Sequence, residues 1–163
     1  MATYADFTFY KDGFFGDALT EENANKWLSL AGDEIDTLTF GRLTFAFPTV
    51  EAHAEKVKKA VCAVAEALFY IDSQRKAATA QKAQDGTYRG AIASVSSGRE
   101  SISYSVNSAS ASAYAAAAAS AVEQNKLICS IAVKYLANIP DANGVNLLYA
   151  GEVRHVPKHD HSV

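Results

Sequence analysis

His155, His159, Asp160 and His161 form the one cluster in this 163-residue sequence whose side chains are all of metal-ligand type. Imidazole and carboxylate can build a zinc site, but each ring must be fixed by outer groups that a run so near a chain end rarely has. The expectation is a solvated run and no metal. Cys62 and Cys129 could each supply a nucleophilic thiolate. Both instead sit among apolar neighbours, in Ala60-Val61-Cys62-Ala63 and Leu127-Ile128-Cys129, with no base or cation beside them, so both are expected in the core as small hydrophobes. His53 stands alone near a helix start and is expected at a surface or interface. Lys56, Lys58 and Lys59 could brush a phosphate, yet nearby acids offset them and a solvated helix face is the simpler reading. A glycine-rich phosphate loop, His-Glu-x-x-His, Cys-x-x-Cys and Gly-x-Ser-x-Gly are all missing from the sequence. The residues therefore point to no catalytic group, no cofactor and no enzyme.

Composition narrows the class further. A net charge of −3, with 49% hydrophobic and 20% charged residues, is that of an ordinary globular protein. Tight binding of nucleic acid through its phosphates is disfavoured by that charge. A chain of this length can remove about 70% of its unfolded surface from water as one domain. No window approaches the run of about 20 apolar residues that a bilayer requires, so no membrane span is expected. The unpaired look of the two cysteines suits a reducing cytoplasm, and Met1–Asp6 has neither the basic stretch nor the apolar core of a leader.

The elements that would position any site follow from periodicity. The segment up to Leu19 is aromatic and punctuated by glycine, and is expected to be an irregular lead-in packed through its rings. Thr20 offers an N-cap to a helix from Glu21 to about Leu38, with Ala24, Trp27, Leu28, Ala31 and Ile35 on one stripe. Trp27 is therefore expected in the core. Gly41 can take the left-handed turn that ends that helix. Pro48 marks the next start, and Val57, Ala60, Val61, Val64, Leu68 and Ile71 define a second helix from Val50 to Lys76 or beyond, long enough to make the protomer elongated. Residues 89–106 alternate around Ser97-Gly98 as a β-hairpin or extended loop. The alanine and serine run leads into one long helix from about Ala109 to Leu136. Pro140 and Asp141-Ala142-Asn143-Gly144 close it with a turn. The remainder, 145–163, reads as an extended C-terminal arm whose apolar residues need a surface to lie on. The fold class is thus mainly α: a helical bundle of three long helices in residues 1–144, with the loop 89–106 and the arm 145–163.

Several local sequences, taken in order, resemble the head-tail connector family of long-tailed bacteriophages, the adaptors beneath the portal. They are Leu19-Thr20-Glu21-Glu22; Ile35-Asp36-Thr37-Leu38-Thr39-Phe40-Gly41-Arg42; Val61-Cys62-Ala63-Val64-Ala65-Glu66; Gly98 with Ser101-Ile102-Ser103-Tyr104; and Tyr135-Leu136 followed by Asn146-Leu147-Leu148-Tyr149-Ala150-Gly151-Glu152-Val153. The order carries the resemblance more than any one piece. Where the family often has arginine, this chain has Ala150.

The resemblance implies a virion structural protein in the neck, assembled in the host cytoplasm. Its partners would be the portal protein, a stopper or tail-completion protein, and further copies of itself in a homo-oligomeric, dodecameric ring. DNA would pass through the channel without sequence-specific binding. By this analogy Tyr104, Leu147, Leu148, Tyr149, Val153 and Val156 are the expected partner contacts. Other readings are a stopper or tail terminator, which tend to be β-rich, and a helical binding module unrelated to virions.

Overall fold

A computed structural model describes residues 3–79, 95–97, 100–102 and 112–150, the side chains of 77–79, 95–97 and 100–102 excepted. The chain is mainly helical. The helices among the described residues are α1 (Phe7–Asp12), α2 (Glu21–Leu38), α3 (Arg42–Phe45), α4 (Glu51–Thr79), α5 (Ala113–Ala119) and α6 (Ala121–Leu136). The 29 residues of α4 extend about 43 Å at the rise of an α-helix.

α4 packs against α2 on one side and against α5 and α6 on the other. The seam joins Leu28, Ala31 and Ile35 of α2, Val57, Val61 and Val64 of α4, and Ile128, Ala132 and Leu136 of α6, all fully or almost fully buried. Each leucine or isoleucine so buried contributes about 1.5–3 kcal/mol. Alanines at 24, 31, 60, 65 and 132 in the same seam let the backbones approach closely. Trp27 lies in this core, edge-on to Phe69 at 5.9 Å between ring centres.

α2 begins at Thr20, as its N-cap, and the Asn23 side chain accepts from the Thr20 N–H at 3.0 Å. It ends where Gly41, at φ 70°, turns left-handed and donates back to Asp36 O at 2.8 Å. The chain then does something the sequence reading missed, forming the single turn α3 before Pro48 and α4. The lead-in is irregular as expected except for the short helix α1. Asp6 caps α1 by accepting from the Phe9 N–H at 2.7 Å, and α1 drives Tyr10 into the interior, fully buried. The Tyr10 hydroxyl donates to Glu66 of α4 at 2.6 Å and accepts from the Leu19 N–H at 3.0 Å. Gly16 is required beside it, because a β-carbon there would stand 2.1 Å from the Tyr10 ring.

The expected single helix to Leu136 is broken. Ser120 is extended, at φ −142° and ψ 127°, ending α5 and opening α6. Arg75 of α4 explains how the break is held: its Nε donates to Ala118 O at 3.2 Å, an end carbonyl of α5, and its terminal nitrogen to the Gln124 side chain of α6 at 2.6 Å. On the far side of the break Ser112 caps α5 through the Ala115 N–H at 3.2 Å. The residues 109–111 of the expected helix lie outside those described.

β1 (Val95–Ser97) and β2 (Glu100–Ile102) pair antiparallel, with Val95 opposite Ile102. The rest of the loop 89–106 lies outside the described residues. Beyond α6, the segment expected to leave the domain turns back onto it. Pro140 bridges Asn146, and the Leu147 N–H donates to Ile139 O at 2.9 Å. The packed unit therefore continues past the expected boundary at residue 144.

Candidate interaction surface

Where α2 and α6 end and α4 begins, three connections meet and form one pole of the helical unit. Asp141 organises it. Its Oδ1 accepts from the Asn143 N–H at 2.8 Å and the Val145 N–H at 2.9 Å, an Asx-type turn that shapes 141–145. Its Oδ2 lies 3.9 Å from the Arg42 guanidinium. Arg42 also donates to Tyr149 O at 2.8 Å, and Ala142 N–H donates to Ala46 O at 3.0 Å. α3 and residues 141–149 are thereby fastened together. The contact joins the turn after α2 to a segment 107 residues further along the chain.

The outer side of the pole is apolar. Phe45 is 91% exposed, Tyr149 61% and Phe40 60%. Phe40 is held at φ 56°, a left-handed backbone that bulky side chains seldom adopt. Phe40 and Phe45 flank a shallow cleft of about 260 Å³ floored by Arg42, Ala46, Asp141 and Asn143. Such a surface can hold an apolar or aromatic segment, with Asn143 and the backbone at its edge for hydrogen bonds.

The structure separates the expected contact residues. Leu147 is fully buried in the chain's own core and is unavailable to a partner, a correction to its role as an anchor. Leu148 is half-buried against that core, while Tyr149 is free on the surface side. Tyr104, Val153 and Val156 lie outside the described residues, as do His155, His159, Asp160 and His161. Phe40 and Phe45 were missed as surface residues. No local pattern separates them from Thr39 and Leu43, which flank Gly41 just as closely and are buried.

Cys62 is buried, and burial first, then the nearby Glu66 and Asp6 charges, push its thiol up to about 12. Cys129 is exposed, contrary to its expected place in the core. Burial and the hydrogen bond to Asp36 push the Tyr4 phenol up to about 12, and burial with the bond to Glu66 raises that of Tyr10. Lys59 pairs with Glu55 at 2.6 Å and Lys58 lies over the Phe9 ring, so neither forms a separate basic patch. His53 is half-buried at the start of α4. A second cleft, of about 340 Å³, lies among Lys26, Trp27, Asp33, Asp72, Arg75 and Gln124. Its charges alternate in sign, which gives no convergent set for one ligand. Among the described residues no three histidine, cysteine or acidic side chains converge on a metal position, and no helix is long and apolar enough to cross a membrane. Compared with protein-family models, curated proteins and solved structures, the sequence and fold find no match in any of the three.

Proposed function

We propose that this chain is a head-tail adaptor of a tailed bacteriophage, a structural protein of the virion neck that acts without catalysis. In this reading α2, α4 and the α5–α6 pair form a helical bundle, copies of which make a dodecameric ring beneath the portal. The ring extends the DNA channel and links the capsid to a stopper or tail-completion protein.

The observation that carries the reading is the pole itself. Separate stretches that resemble the connector family are joined there by Arg42, and Phe40, Phe45 and Tyr149 stand exposed around the junction. Exposed aromatic rings on a rigid support are what a protein interface uses as anchors. Tyr149 replaces Leu147 as the proposed anchor, because Leu147 is interior. The net charge of −3 suits a channel through which DNA slides without sticking. Residues 89–106 are a second proposed contact.

The test is binding to purified portal rings from the same genome, with portal measured against the wild-type chain and a Phe45→Ser, Tyr149→Ala double variant. Co-elution of the wild-type chain and its loss in a folded variant support the reading. A monodisperse wild-type chain with no affinity for portal would move the assignment to a helical binding module.

A further inference from the structure

The aromatic pole has no cover among the described residues, although rings of this kind each bury about 150–250 Å² when they find a partner surface. The chain runs on from this same surface. Tyr149 O is fixed on Arg42 at 2.8 Å, Ala150 follows, and residues 151–163 continue beyond it. We infer that residues 151–163 of the same chain dock on Phe40, Phe45 and Tyr149 and cap the pole of the free protomer.

Three considerations select this occupant. The first is proximity, since a segment tethered directly to the surface acts at an effective concentration in the millimolar range, well above a second copy at about micromolar concentration. The second is reach: at about 3.3 Å per extended residue the segment readily spans the cleft and both phenylalanines. The third is chemistry. Val153 and Val156 supply apolar contacts, and Arg154 and Lys158 supply cations that favour aromatic faces. In the cleft itself the Arg42 guanidinium already lies beside Asp141, so no unbalanced positive charge there repels a segment carrying Arg154 and Lys158. This capping belongs to the protomer alone and stands apart from the virion reading. Any partner that uses the pole must displace the cap first.

Paramagnetic NMR on the full chain tests it. A nitroxide is attached at Ser162→Cys in a Cys129→Ser background, where the buried Cys62 thiol stays unlabelled. The expected result is loss of amide intensity at residues 40–46 and 149–150 when label and isotope are on one chain. That loss should be absent when labelled and isotopic chains are mixed, and should disappear with Phe45→Ser, a change at a solvent-exposed ring that leaves the fold intact. Intensity loss in the mixed sample would overturn the inference in favour of a second copy. No loss in either sample, or a loss unaffected by Phe45→Ser, would overturn it outright.

Discussion

Tyr10 ties together three parts of the chain with one hydroxyl. It donates to Glu66 of α4 and accepts from the Leu19 backbone just before α2, while its ring closes on Gly16. Tyr10→Phe removes the acceptor of a buried N–H and should cost about 1–3 kcal/mol in urea denaturation. Gly16→Ala forces a methyl into the ring's space and should cost about 1–3 kcal/mol by overpacking. The two cysteines make a separate prediction. At pH 8 the folded protein should expose one reactive thiol, Cys129, to a disulfide reagent, with Cys62 reacting only on unfolding. Because the Cys62 thiol is raised from its ordinary 9.0 to about 12, the folded state keeps a proton that the unfolded chain loses. Its contribution to stability is therefore complete below pH 9 and is lost as pH rises toward 12, with the Tyr4 phenol adding to the same alkaline fall. Equal labelling of both cysteines in the native protein would contradict this placement.

At the scale of elements, what could be read from sequence was what depends on neighbours within a few turns. The stripes of α2 and α4 and the left-handed stop at Gly41 were legible for that reason. The break at Ser120 was not, because it depends on Arg75, which is 43 positions from the Ala118 carbonyl it holds, whereas the local alanine content favours continuity. α1 is too short to show a period, and its purpose appears only through Glu66, 56 residues from Tyr10. Cys129 was misread for a geometric reason. Ile128, Ala132 and Leu136 set the inward face of α6, and the next residue after Ile128 lies about 100° around the helix. Of the expected contact residues, Tyr149 is exposed and so remains open to the partner role proposed for it, but Leu147 was drawn inward by a bond to Ile139 that sequence spacing does not encode. The Arg75 clamp is testable: Arg75→Ala should speed amide exchange in Ala116–Ser120 and the first turn of α6, leaving α2 unchanged. Because the clamp is solvent-exposed, its cost to global stability should stay within about 1 kcal/mol.

For the molecule as a whole, the pole divides residues by consequence. Leu147→Ala should destabilise the fold by about 2–5 kcal/mol, since it empties a fully buried site. Phe45→Ser and Tyr149→Ala should each change stability by less than about 0.5 kcal/mol while weakening association with a partner. Thermal melts alongside binding assays distinguish the two sets, and a loss of stability in the exposed set would mean that the rings serve the fold. The helical unit supplies a rigid support, the junction of Arg42 with Asp141 and Tyr149 fixes the surface, and the assembly role is the proposal built on both. The most direct measurement is electron microscopy of the portal protein purified after co-expression with this chain from the same genome. The expected result is a second ring of density on the portal's narrow end, lost with Phe45→Ser and Tyr149→Ala together. Portal rings with nothing added, beside a folded and soluble helical chain, would contradict it.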